Sequence, residues 1–169
     1  MRTKRHVAVI VLALTSLGLV GPAHATTTHT ARLSAAQEVP TNESKARGQA
    51  VFQLSADGTE LNYRLIVANI DNVTASHIHL APEGVNGPVV AFLYGNAPAG
   101  SGSANGVLAT GTITATDLIG PLAGTELTAL ITAIEAGNAY VNVHTNDGVA
   151  PANTGPGDFP GGEIRGQIS

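Results

Sequence analysis

Residues 48–70 read GQAVFQLSADGTELNYRLIVANI, and their pattern decides the fold. Ala50, Phe52 and Leu54 alternate with Gln49, Val51 and Gln53. That period of two belongs to a half-buried strand. Asp57-Gly58 follows, a strong turn signal between two apolar runs. Beyond it Leu61, Tyr63, Leu65 and Val67 fall on one side of a second strand. The spacing predicts a β-hairpin over 48–70.

The rest of the chain repeats this grammar. Residues 73–80 read as a strand, followed by a loop rich in Pro and Gly. Residues 89–94 are almost continuously apolar, as expected of a buried strand. Residues 96–106, rich in Gly, Ala, Ser and Pro, predict a long surface loop, and alternation resumes over 107–116. Leu127, Leu130, Ile131 and Ile134 recur at helical spacing, with Thr125 as the expected N-cap and Gly137 as the stop. Residues 139–145 and 163–168 are the last two strands, separated by a 146–162 loop full of Asn, Asp, Gly and Pro. Upstream, 31–34 begin the first strand, 26–31 read as a loose lead-in and 37–48 as a loop. Short strands, turn signals and a single helix predict a mostly β chain, an antiparallel sandwich or barrel with one short helix.

The N-terminus predicts export. Arg2, Lys4 and Arg5 precede an apolar run from Val7 to Val20, then Gly21-Pro22 and Ala23-His24-Ala25. These are the parts of a signal peptide cleaved after Ala25, leaving one domain over 26–169. The expected location is therefore secreted, either extracellular or periplasmic. The whole chain carries a net charge of −4, from 8 Lys+Arg and 12 Asp+Glu. Cleavage would remove three of the basic residues and none of the acidic ones. An acidic domain is poorly suited to nucleic acid or to an anionic membrane surface. There is no Cys, which rules out thiolate metal sites and cysteine nucleophiles. Aromatics make up 4% with no Trp, so a stacking platform for sugars is disfavoured.

Strand parity yields the candidate site. In Ser76-His77-Ile78-His79-Leu80, Ile78 and Leu80 share one face and the two histidines share the other. The histidines then lie about 7 Å apart along the strand. In Tyr140-Val141-Asn142-Val143-His144 the valines oppose Tyr140, Asn142 and His144. In 163–168, Ile164 and Ile168 oppose Glu163, Arg165 and Gln167. If these strands are neighbours, each buries one face and shows the other, and His77, His79 and His144 gather on one polar patch. Such a set suits Cu or Zn, with Glu163 as an outer partner for an imidazole N–H and Asn142 and Arg165 beside it. The alternative is that the histidines hold the sheet and the 146–162 loop through hydrogen bonds. His29 reads as part of a solvated tail, and Asp147 and Asp158 as solvated turn residues. No Gly-x-Ser-x-Gly elbow is present, and Ser76 and His77 point to opposite faces, so nucleophilic catalysis has no support.

Two segments resemble a known family. ASHIHLAP (75–82) with GPVVAFL (87–93), and GNAYVNVHT (137–145) with PGGEIRGQI (160–168), are similar to the centre and close of the CHRD domain, the repeat first recognised in chordin. The resemblance runs from about Thr30 to Ile168. It implies an immunoglobulin-like β-sandwich, often a stand-alone secreted protein in bacteria, with no generally assigned reaction. The positions that match are His77, His79, Tyr140, Asn142, His144, Glu163 and Arg165, while the 146–162 loop is longer than the usual connection. The expected function is a non-enzymatic binding or structural module with an unidentified envelope or extracellular protein as partner. The alternative is a metal-binding protein. Cu/Zn superoxide dismutase also places a His-x-His and a later strand His on a β-sandwich, but this chain lacks its further zinc-site ligands and its disulfide.

Overall fold

The computed structural model describes residues 27–95 and 97–169. The expected signal peptide, 1–25, lies outside the described residues. Eight strands form the sheet: β1 (Thr28–Ser34), β2 (Arg47–Leu54), β3 (Leu61–Asp71), β4 (Val73–Leu80), β5 (Val89–Tyr94), β6 (Ser103–Ile113), β7 (Ala139–Thr145) and β8 (Ile164–Gln167). Their order is β5-β4-β7-β8-β1-β2-β3-β6, and the pairings between strands are antiparallel. The fold is thus mostly antiparallel β, rolled towards a barrel, as the alternation predicted.

The hairpin over 48–70 forms as read, with Leu54 opposite Leu61 and Phe52 opposite Tyr63. Phe52, Leu61 and Leu65 have no exposed surface, and Ile78, Val141 and Ile164 join them in one core. The two edge strands approach each other across the roll. The Tyr63 hydroxyl of β3 donates to the Leu93 carbonyl of β5 at 2.7 Å, and Ile119 N–H donates to Val90 O at 2.9 Å. Both bonds occupy polar groups that an open sheet edge would leave unpaired. Tyr63→Phe should keep the ring and lose only the bond. The expected cost is about 0.5–1.5 kcal/mol, read from a shifted urea midpoint with an unchanged slope.

The helix α1 (Leu127–Glu135) buries the four residues predicted for it, Leu127, Leu130, Ile131 and Ile134. Its start differs from the expectation. Glu126 is the N-cap residue and makes no side-chain cap, while the Thr125 hydroxyl turns back to Leu122 O at 2.8 Å. Thr125 completes the preceding turn instead of opening the helix. The end is as predicted. Gly137 takes φ +70°, Gly137 N–H reaches Ile134 O and Asn138 N–H reaches Ala133 O, the paired bonds of a Schellman stop. Among the described residues no helix is long and apolar enough to cross a membrane.

Three expectations are corrected here. β1 begins at Thr28, so His29 is no solvated tail residue: it is buried and shares the inward parity of Ala31 and Leu33. β6 begins at Ser103, within the stretch expected to be loop. Its small residues pair with the far end of β3 across two register shifts, a tertiary pairing that overrides weak strand propensity. Asp158 is buried and accepts from Thr154 N–H and its hydroxyl, so it organises the 146–162 loop from within. Asp147 behaves as the turn residue expected, accepting from Val149 N–H.

Candidate metal centre

β4, β7 and β8 are consecutive in the sheet, so the adjacency the site requires is met. His77 stands opposite Asn142, His79 opposite Tyr140, and Ala75 opposite His144. His144 is therefore the diagonal neighbour of His77, within reach of a long side chain. Each of the three histidines offers a ring nitrogen within 4.8 Å of the others. The closest pair is His77 Nδ1 and His144 Nε2, 3.1 Å apart.

The polar face is not the open surface the parity suggested. Tyr140, Asn142, Glu163 and Arg165 are buried, and so is His79. Two loops cover them. Arg165 donates to Pro82 O, Val85 O and Asn86 Oδ1, and its guanidinium carbon lies 3.4 Å from the centre of the Tyr140 ring. The opposite partner of Tyr140 is His79, stacked at 4.8 Å with rings 12° from parallel. Phe92, an exposed residue of β5, sets its edge against His77 at 4.8 Å.

Backbone carbonyls fix the imidazoles. His79 Nδ1–H donates to Gly87 O at 2.8 Å, and His144 Nδ1–H donates to Pro160 O at 2.9 Å. A ring that donates through Nδ1 and is neutral carries its lone pair on Nε2. Gly87 can reach His79 because it has no side chain: a Cβ there would lie 1.8 Å from Leu80 O. His79 Nε2 and Asn142 Oδ1 are both buried with no hydrogen-bond partner among the described residues. Burying an unpaired acceptor costs about 1–3 kcal/mol.

The electrostatics keep these rings neutral. Burial, then the charges of His144 and His79, hold His77 down to about 4. Burial also lowers His79, against its bond to Gly87, and lowers His144, against its bond to Pro160. A neutral imidazole is the form that ligates a metal.

Glu163 is not an imidazole's partner. Its carboxylate accepts from the Ser44 hydroxyl, from the Thr145 hydroxyl at 2.6 Å and from Gly157 N–H at 2.8 Å. The strand end turns this side chain towards the loops. Arg165 likewise stays off the histidines and anchors the 82–86 loop. The residues that orient the histidines, Gly87 and Pro160, act through carbonyls and carry no side-chain signal in the sequence.

A family model for the CHRD domain matches residues 29–168. The chain belongs to the CHRD domain family. At the level of the family, a CHRD domain is an extracellular, non-enzymatic module. No curated protein and no solved structure matches the chain.

Proposed function

We propose that this CHRD domain is a secreted, non-enzymatic binding module that holds one copper or zinc ion at His77, His79 and His144. Residues 1–25 would serve as its signal peptide and 26–169 as the single functional domain. The observation that carries the metal reading is the tethering of two rings. The carbonyls of Gly87 and Pro160 take the outer N–H of His79 and His144, the arrangement by which metal-bound histidines are oriented.

The distances support this reading. Two nitrogens on one tetrahedral ion at about 2.0–2.1 Å stand about 3.3 Å apart. The 3.1 Å between His77 Nδ1 and His144 Nε2 is close to that value. An ion there would replace the shared proton, which moves to His77 Nε2. The widest separation, up to 4.8 Å, must shorten by about 1.5 Å for all three to ligate, within reach of an imidazole rotation. With no Cys and with Met1 as the sole Met, the donors are imidazoles, which suit Cu(II) or Zn(II) rather than Cu(I).

Metal analysis of the exported protein, purified without a His tag or chelator, tests this. One equivalent of copper or zinc is expected, and none in His77→Ala/His79→Ala. A protein that takes up no metal after loading and washing would leave the histidines as sheet-holding residues.

A further inference from the structure

Away from the histidines, the loops at 38–42 and 159–162 enclose a cleft of about 160 Å³. Val39, Pro40 and Phe159 give it apolar walls, Asn42 and Asn153 give it polar ones, and Glu38 supplies its one acidic group. We propose that this cleft is a second binding site, which takes a primary alkylammonium group with Glu38 as the counter-ion.

Three observations support it. First, Glu38 is 5% exposed, and its Oε1 has no hydrogen-bond partner among the described residues. A buried carboxylate with an unpaired oxygen is costly, and the fold has kept one. Second, the nearby cation is committed elsewhere: the Arg165 guanidinium is held by Pro82 O, Val85 O, Asn86 Oδ1 and the Tyr140 ring. Burial accordingly outweighs the Arg165 charge and raises the Glu38 carboxyl to about 7. Third, the cleft is preformed. Asn42 Nδ2 donates to Glu163 O at 3.0 Å, Asn86 Nδ2 to Val39 O at 2.6 Å, and Asn153 N–H to Asp158 O at 3.0 Å. Gly162 lets the carboxyl sit against the loop, since a Cβ there would lie 2.5–2.9 Å from its three atoms.

Size and chemistry name the ligand class. Pockets for drug-sized molecules run to about 300–1,000 Å³, so this cleft suits a side-chain-sized group. A buried anion facing an aromatic and a proline favours a cation with an alkyl stem over a neutral or anionic guest. A free amine and the side chain of a partner's lysine share that chemistry.

The test is a ¹⁵N NMR titration of residues 26–169 with n-butylammonium, n-butanol and an acetyl-Gly-Lys-Gly-amide peptide. Butylammonium should shift the Asn42, Asn153 and Gly162 amides saturably, with a Kd near a millimolar or tighter. Butanol should not. Glu38→Gln should weaken binding by at least about tenfold, while His77→Ala/His79→Ala should bind as before. Binding of butylammonium alone supports a free amine, and binding of the peptide as well supports a lysine side chain. No saturable shift from either cation, equal binding of butanol, or unaltered binding by a folded Glu38→Gln variant would overturn the proposal.

Discussion

Glu163→Ala is expected to cost about 3–5 kcal/mol, a large share of the roughly 5–15 kcal/mol that holds a domain of this kind together. The carboxylate is fully buried and accepts three hydrogen bonds, from Ser44, Thr145 and the Gly157 amide. Removing it strands three buried donors from three separate segments, and each unsatisfied group carries its own desolvation penalty. Glu163→Gln should cost less, about 1–2 kcal/mol. Its carbonyl can still accept from Thr145 and Gly157, and its amide can donate to Ser44 Oγ. What is lost is the charge, which strengthens each bond. Urea unfolding of the three proteins at neutral pH reads both values. A loss below about 1 kcal/mol for the alanine variant would show that the network is not a principal tie.

The same variant probes the site at a distance. Thr145 exchanges bonds with Phe159, its hydroxyl accepting from Phe159 N–H at 2.9 Å and its N–H donating to Phe159 O at 3.2 Å. Pro160, the next residue, supplies the carbonyl that holds His144. Glu163 is therefore linked to His144 through Thr145 and the 159–160 loop and does not touch the histidines. On the metal reading, Glu163→Ala should weaken metal binding while leaving His79, tethered to Gly87, in place.

Local periodicity made much of the fold legible. The 48–70 hairpin, the α1 apolar stripe and the parity of β4, β7 and β8 are all statements about neighbours along the chain. The three histidines could be grouped because parity is set by the pleat. What parity could not show is what covers a face. The outer side of β7 is buried because the 82–86 and 146–162 loops fold back over it, and loop paths are not encoded in a period. The expected role for Glu163 failed for the same reason, since its partners come from loops 6 and 119 residues away. His29 was legible in principle: His29, Ala31 and Leu33 share one parity, and extending the alternation two residues upstream would have placed it inside. The start of β6 was not, because Ser103-Ala104-Asn105-Gly106 has no strand preference of its own and is held by β3.

The remaining large effect is the pH dependence of the metal-free domain, in which two groups of residues oppose each other. Burial first, then the charges of His144 and His79, hold His77 down to about 4, and burial lowers His79 and His144 as well. In the unfolded chain these rings titrate near 6.5. A histidine kept neutral by the fold contributes stability that is present above the unfolded value. That contribution is lost as pH falls from about 6.5 towards about 4. For His77, which is partly exposed, solvent screening limits it to roughly 1–2 kcal/mol. Glu38 has the opposite sign. Burial, partly offset by Arg165 and the Val39 amide, raises it from 4.5 to about 7. Its contribution is fully present below 4.5 and is lost as pH rises through about 7. Ionising it at pH 8 should cost up to about 2–3 kcal/mol. Glu38→Gln should therefore be the more stable protein at pH 8 and nearly equal to the parent at pH 4.5. Its stability should also fall more steeply on acidification between those values, because nothing then offsets the histidines. Urea midpoints for both proteins at pH 4.5, 6.5 and 8 decide it. A difference between them that stays constant across the three would mean that Glu38 keeps an ordinary carboxylate pKa in the fold.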